Sequence, residues 1–376
     1  MRALVVAEFY PRAHDPVLGV WAHRQAVAAR DAGADVSVAV LYRPIPPRAD
    51  PRALGRYLRQ PPRTQLDGIA VDYVPFVSPP RNGSYGRWGA WAAPSLAAYV
   101  HARRRSFDLI HAHNAIPAGD AVRRARIDKP LLVSVHGGDV FFTAPRHGEQ
   151  GVRRGFEAAC LVLANSRGIA ERSAALGARE TRVVHLGADI PEALPGRNSS
   201  TVVTVGHLVA RKRHGDVIRA LWSLRDRLPL RYLIIGDGPE RRALEQLAAQ
   251  LRVDVEFAGQ LPHEQALERM RGCALMALPS TDEAFGVAYV EAMAARIPAI
   301  GCLGEPGPEE IARCGDGIRL VPPGDVERLA AELQEILGDP AYLADLGESA
   351  RRTVAEHFTW EACGRATLAA YEEALA

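Results

Sequence analysis

The sequence predicts an α/β protein built from two doubly wound domains in series. Three observations carry that reading. Short apolar strands alternate with helical stretches along nearly the whole chain, the spacing of a parallel sheet covered by helices. The alternation halts at the Pro/Gly/Asn/Ser segment PEALPGRNSS, residues 191–200, and then restarts. The 376 residues also exceed the usual size of one domain. The expected boundaries are therefore 1–190 and 191–358, with 359–376 as a last helix that opens near Thr359 and packs back on the N-terminal domain.

In the first domain, strands are expected near ALVVAEF, ADVSVAVL, IAVDYVPF, FDLIHAH, PLLVSVH, LVLANS and TRVVHLG. In the second they are expected near TVVTVG, RYLIIGDG, VEFAGQL, ALMALPS, PAIGC and GIRLVPP. Beyond Pro340 only helical periodicity remains. In such sheets ligands collect beyond the carboxyl ends of the strands, where loops lead into helix N-termini. No G-x-x-x-x-G-K-[ST] sequence occurs, and GDGP at 236–239 lacks the third glycine of a dinucleotide fingerprint.

Composition narrows the classes further. Apolar residues make up 48% of the chain, which is ordinary for a globular enzyme. No run of about eighteen uncharged apolar residues appears, and MRALVVAEFY enters a strand pattern directly, so a cytoplasmic protein is expected. Five scattered cysteines without a C-x-x-C pair read as small buried hydrophobes in a reducing compartment. The net charge of +2 conceals 26 Lys+Arg against 16 Asp+Glu in residues 1–190, and 20 against 28 in the remainder. A basic first half suits an anionic partner such as a phospholipid surface or a phosphorylated acceptor, or is simply a solvated face. Nucleic acid is not expected, because no nucleic-acid-binding signature accompanies the charge. Arginine supplies almost all the cations, leaving Lys129 and Lys212 as the two lysines.

In TDEAFGVAYVEAM, Glu283 and Glu291 flank Gly286. On one continuous helix, eight residues would part them by roughly 12 Å along the axis and about 80° around it. That is too far for a retaining hydrolase dyad and awkward for an inverting one. The alternative is a strand ending near Ser280, a loop, and a helix starting near Gly286. Glu283 then stands before the helix and Glu291 within it, with the first-turn amides between them suited to an anionic or hydroxyl-rich ligand. Spacing alone leaves dipole compensation by Glu283 and a solvated Glu291 equally open.

This stretch resembles the Glu, seven residues, Glu motif of the family 4 retaining glycosyltransferases, whose GT-B fold is two Rossmann-like domains facing across a cleft. Further segments fall in the family's order: DPVLGVWAHRQAVAARDAGADVSV resembles its first glycine loop and helix, FDLIHAHNAIPAG a strand-end loop, and SVHGGDV its His-Gly loop. VGHLVARKRHGDVIRAL and LIIGDGP resemble its phosphate and nucleotide loops. The likeness spans nearly the whole chain. Within the family, VLGVWAHRQ with HGGDV looks most like the teichuronic-acid type of polysaccharide transferase.

The resemblance implies roles by position. Glu291 would hold the ribose hydroxyls of a nucleotide, and Glu283 the hydroxyls of the transferred sugar. The amides of Ala284, Phe285, Gly286 and Val287 would complete the cradle. Lys212 would neutralise the leaving diphosphate, and Gly206, Gly236 and Gly238 would let backbone approach the donor. Gly19 would do the same in the N-terminal loop, where the family's usual glycine pair is reduced to Leu18-Gly19. His207 stands where the family has arginine, so a protonated His207, Arg211 or Arg213 would have to supply the second positive charge. His136 matches the histidine beside the reacting sugar. Asp139 would orient the acceptor or its loop, and His111, His113 and Asn114 would line the acceptor side. A lysine and a helix dipole suffice for the charge work, so no metal or other cofactor is expected.

The implied activity is retaining hexosyl transfer from a nucleotide sugar, UDP favoured over guanine, to a glycan, lipid-linked or small-molecule acceptor. The rivals are a nucleotide-sugar epimerase on the same fold and a catalytically silent sugar-nucleotide binding partner. SYGRWGAWAAPSLAAYVHARRRSF mixes Trp88, Trp91 and Tyr99 with Arg87, Arg103, Arg104 and Arg105. Its helical part fits peripheral contact with an anionic membrane at the inner face, and fits equally a core stripe ending in solvated arginines.

Overall fold

The computed structural model describes residues 1–45, 51–103, 106–194, 196 and 200–376. The chain forms two compact units, Met1–Leu186 with Trp360–Ala376, and Gly187–Thr359.

The strands of the first unit are β1 (Arg2–Ala7), β2 (Asp35–Tyr42), β3 (Arg63–Leu66), β4 (Ile69–Pro75), β5 (Leu109–His113), β6 (Leu131–Val135), β7 (Leu161–Ala164) and β8 (Thr181–Val183). They form one sheet in the order β3-β4-β2-β1-β5-β6-β7-β8. All pairs are parallel except β3 with β4, a hairpin closed by Asp67 and Gly68, both with positive φ. This edge strand is absent from the expected set. Its residues Arg63, Thr64, Gln65 and Leu66 are exposed or half-buried, so it lacks the apolar run that marks the others. β1, β5 and β6 are wholly apolar-faced or buried, as strands covered on both sides must be.

The helix Trp360–Leu375 completes this unit by packing along the helix Val20–Asp31. Arg24 lies 5.3 Å from the Trp360 ring, Gln25 donates to Thr367 at 3.3 Å, and the Tyr371 hydroxyl lies 2.8 Å from His111 Nδ1. Arg182 pairs with Glu373 at 2.6 Å.

The second unit holds β9 (Thr201–Val205), β10 (Arg231–Ile235), β11 (Val255–Gly259), β12 (Leu275–Ala277), β13 (Ala299–Cys302) and β14 (Ile318–Val321), all parallel, in the order β11-β10-β9-β12-β13-β14. Val202, Leu221, Tyr232, Ile300 and Leu333 belong to its core. Each sheet reverses its strand order once, between β1 and β5 and between β9 and β12. Those reversals open the crevices where doubly wound sheets take ligands.

Cys273, Cys302 and Cys363 are buried, Cys314 is half-buried and Cys160 is exposed, so not every thiol is a core residue. All five are free. Among the described residues, no helix is long and apolar enough to cross a membrane.

Candidate functional site

In the second unit, the expected donor residues gather at the carboxyl ends of β9, β10 and β12. Gly206 and His207 follow β9, with His207 exposed. Gly236 follows β10 with φ 145°, and a Cβ there would lie 1.9 Å from the Gly206 carbonyl oxygen. Any side chain at 236 would drive these two strand-end loops apart. A Cβ on Gly238 would lie 2.4 Å from the Leu208 carbonyl oxygen.

Lys212 ends the turn Ala210–Lys212, and a Cβ on Gly206 would meet its stem at 3.8 Å. Lys212 Nζ reaches Glu283 Oε2 at 2.5 Å, and both side chains are only 11% exposed. The same oxygen accepts from Ser280 Oγ at 2.8 Å, and Arg211 Nη1 stands 4.0 Å away. Burial pushes the Glu283 carboxyl up, but Lys212, Arg211 and the Ser280 hydroxyl together outweigh it and hold the carboxyl below its ordinary value. Glu283 is therefore an anion near neutral pH. Its backbone is pinned as well: its N–H donates to Glu305 Oε2 at 2.9 Å, and its carbonyl accepts from Gly307 at 3.0 Å.

The helix Val287–Ala294 begins after Gly286, which caps it in the left-handed region at φ 84°. Glu283 thus stands before the helix and Glu291 in its second turn, so no continuous helix joins the two carboxylates. Val287 opens that helix half-buried; in its first turn the Tyr289 N–H donates to the capping Gly286 carbonyl at 2.9 Å. Ala284 and Phe285 are buried, with the Phe285 ring edge-on to Phe358 at 5.6 Å. Both side chains are thus turned into the unit's interior. Glu291 is half-buried with its Oε1 3.3 Å from His263 Nε2. Of the two arginines beside Lys212, Arg213 is bound to Asp216 at 2.6 Å, whereas Arg211 lies close to Glu283. A separate cavity of about 500 Å³ in this unit, lined by residues such as Arg213, Asp216 and Leu247, includes none of the expected donor residues.

In the first unit, Gly19 precedes the helix Val20–Asp31 at φ 65°, and a Cβ there would lie 2.3 Å from the Phe9 carbonyl oxygen. The loop after β1 and the start of that helix can touch only at a glycine. His113 ends β5, and His136 follows β6. Their rings are parallel within 4°, with Nδ1 of His113 2.9 Å from Nε2 of His136. Trp21 packs on His136 at 4.0 Å between ring centroids. Among the described residues, His113 Nε2, His136 Nδ1 and Asn114 Oδ1 are buried without a hydrogen-bond partner. Burial pushes the His136 imidazole down to about 3 and that of His113 well below its ordinary value, so both rings are neutral at pH 7. His111 is 1% exposed and held between Ser134 and Tyr371.

Asp139 is 1% exposed and accepts from the backbone N–H groups of Ala115 (2.8 Å) and Ile116 (3.1 Å). Burial raises its carboxyl to about 7 despite those two bonds. It orients the loop after β5, where Asn114 adopts φ 72°. Asn114 and Asp139 line a cavity of about 240 Å³ together with Phe9, Tyr85 and Arg146.

In the helix Trp88–Arg103, Trp88 is buried and Trp91 is 49% exposed. The Tyr99 hydroxyl donates to Asp72 at 2.8 Å, and Arg103 lies 3.8 Å from the same carboxylate. Much of the aromatic stripe is therefore occupied within the unit. Arg104 and Arg105 lie outside the described residues. Among the described residues, no group of three or more His, Cys, Asp or Glu side chains is placed to hold a metal ion.

Sequence reasoning missed Ser280, Glu305, His263 and Trp21. Ser280 carried a local signal, three residues before Glu283. His263, which opens the helix His263–Arg271, and Glu305 arrive from elsewhere in the chain and carried none.

The chain is similar to known glycosyltransferases along nearly its whole length. Residues 18–191 match the model described as Glycosyltransferase Family 4, and residues 189–353 that of Glycosyl transferases group 1. An exopolysaccharide phosphotransferase of Streptomyces coelicolor is 37% identical over 46% of this chain, and the match spans only 19% of that protein. A Bacillus subtilis protein, TuaC, named for teichuronic acid biosynthesis glycosyl transfer, is 27% identical over 80% of each chain. A sucrose-phosphate synthase from Thermosynechococcus elongatus superposes with TM-score 0.78 at 21% identity, covering 99% of both chains. Anabaena HepE, solved with UDP and glucose, superposes with TM-score 0.72 at 21% identity, over 99% of this chain and all of that one. At such identities the structures show a common fold.

Proposed function

The chain belongs to the family 4 glycosyltransferases, with two Rossmann-like domains of the GT-B type; from that premise we propose that it moves a sugar, with retention of anomeric configuration, from a nucleoside diphosphate to a hydroxyl. The hydroxyl belongs to a glycan, lipid-linked or small-molecule acceptor. A uridine donor is favoured because the structurally similar HepE was solved with UDP. Guanine is the alternative.

The observation that carries this reading is the Lys212–Glu283 pair at the mouth of the helix Val287–Ala294. A diphosphate arriving there exchanges one anion for another on Lys212 and releases Glu283 to accept hydroxyl protons of the sugar. The first-turn amides and dipole of the helix add to the same charge stabilisation. Glu291, backed by His263, takes the ribose hydroxyls. The bond from the sugar C1 to the diphosphate oxygen breaks, and the acceptor oxygen bonds C1 on the same face. The acceptor's proton passes to the leaving diphosphate, so no enzymic nucleophile and no metal is invoked. On the acceptor side, the neutral His136 and Asn114 offer polar atoms to hydroxyls, and Asp139 positions the loop that carries Asn114.

The test is incubation with a panel of UDP- and GDP-sugars, with and without EDTA, followed by mass spectrometry. Slow release of nucleoside diphosphate that EDTA does not affect supports the proposal. Isomerised sugar without release would replace it with an epimerase, and binding without turnover with a silent partner.

A further inference from the structure

Two cavities of the N-terminal unit share Arg146 and His147. The smaller, of about 240 Å³, holds Asp139 and the unpartnered Asn114 Oδ1. The larger, of about 820 Å³, adds Arg87, Arg124, Arg154 and Trp91. It is roomy because Gly83, Gly86, Gly148 and Gly151 form part of its wall.

Its charge is one-sided. Asp120 is the sole carboxylate of the lining, and it is already bound by Arg123 and Arg124, each at 2.7 Å. Arg87, Arg146 and Arg154 have no carboxylate partner among the described residues; Arg146 instead lies 5.2 Å from the Phe142 ring. Elsewhere in the chain most arginines pair locally, as Arg153 does with Glu149 beside this cavity. Three uncompensated guanidinium groups on one concave surface concentrate a positive potential, and their planar forks match phosphate oxygens. Trp91, 49% exposed on the same wall, offers an aromatic face.

We infer that the larger cavity binds a phosphate or phosphodiester carried by the acceptor, while the adjoining smaller cavity takes the end bearing the reacting hydroxyl. The word acceptor rests on the transferase reading above; the binding of phosphate does not. The phosphate belongs either to a soluble phosphorylated sugar or alcohol, or to a lipid headgroup.

Binding is measured by calorimetry with glycerol 3-phosphate, and by co-sedimentation with phosphatidylcholine vesicles doped with phosphatidylglycerol. Both are compared between wild type and an Arg87→Ala/Arg146→Ala/Arg154→Ala variant, with UDP affinity measured alongside. The expected result is affinity for at least one probe that falls roughly tenfold or more in the variant, with UDP affinity unchanged. Loss of glycerol 3-phosphate binding assigns a soluble source, and loss of vesicle binding alone a headgroup. Equal binding of both probes by the two proteins, or no binding of either by wild type, overturns the inference. Arg154→Gln alone, at an exposed helix position, repeats the comparison if the triple variant melts early, with a smaller loss expected and an unchanged affinity again overturning it. A wild type that binds glycerol 3-phosphate but no nucleotide would sink the transferase reading and leave this site standing.

Discussion

Lys212 Nζ and Glu283 Oε2 lie 2.5 Å apart, and Ser280 Oγ holds the same carboxylate oxygen at 2.8 Å. Removing the ammonium strands a buried anion, whereas removing both charges does not. Lys212→Ala should therefore destabilise the protein by about 3 kcal/mol, and adding Glu283→Ala should restore part of that loss. Urea unfolding of the two single variants and the double gives the coupling energy, and simple additivity would count against the pair. Transfer by Lys212→Ala should fall roughly a hundredfold or more, since the leaving diphosphate loses its cation.

The two glutamates should separate kinetically. Glu291→Ala should weaken binding of the bare nucleoside diphosphate by roughly tenfold, the loss of a bidentate hydroxyl contact. Glu283→Ala should leave that affinity nearly intact while lowering kcat and blurring the choice of sugar. Titration with UDP and GDP, followed by turnover of the matching sugars, distinguishes them. Equal loss of nucleotide affinity in both variants would refute the division of labour.

Gly236 tests the loop geometry without touching a charge. Gly236→Ala places a methyl group where the Gly206 carbonyl oxygen already sits, so one of the two strand-end loops must move. The strain should cost about 2 kcal/mol or more and abolish nucleotide binding together with stability. Thermal melting with and without UDP reads both.

The buried acid and the buried imidazoles give opposite responses to pH. Asp139 keeps its proton up to about pH 7 in the native state, while the unfolded chain releases it near about pH 4. Its contribution is complete below the unfolded value and is lost as pH rises towards 7. His111 and His136 hold no proton in the native state until about pH 3, while the unfolded chain takes protons up below about 6.5. Their contribution is complete above that value and is lost as pH falls. Melting temperatures between pH 4 and 8 should show Asp139→Asn gaining on wild type as pH rises, and His111→Asn gaining on wild type as pH falls. A constant offset in either series would contradict the assigned burial.

All thirteen expected strands occur; most carry an apolar run that burial on both faces demands, although β8 and β11 are largely exposed or half-buried. The missed β3 is polar and short, and the Asp67-Gly68 turn was its one legible sign. Expected strands overran their ends at GDG, at LPS and at His136, where the backbone leaves the ladder. Those overrun residues are where the candidate site lies. Position along the chain singled out Lys212, Glu283 and Glu291 for a donor role, and the structure brings Lys212 and Glu283 into contact. It could not supply Glu305 or His263, since each reaches its partner across more than twenty residues of sequence. Trp21 was visible as a residue, yet its stacking on His136 depends on how the helix after Gly19 is laid against β6.

The helix Trp360–Leu375 bears on how the protein is made. Its Tyr371 reaches His111, and its Thr367 reaches Gln25, so the first unit's interior is sealed by residues synthesised after the whole of the second. A nascent chain that has emerged through residue 186 holds a complete eight-stranded sheet with one flank unroofed. The second unit, Gly187–Thr359, faces no such wait. The part begun first is thus finished last, and a fragment cut at the interdomain segment would carry an open wound where Tyr371 belongs.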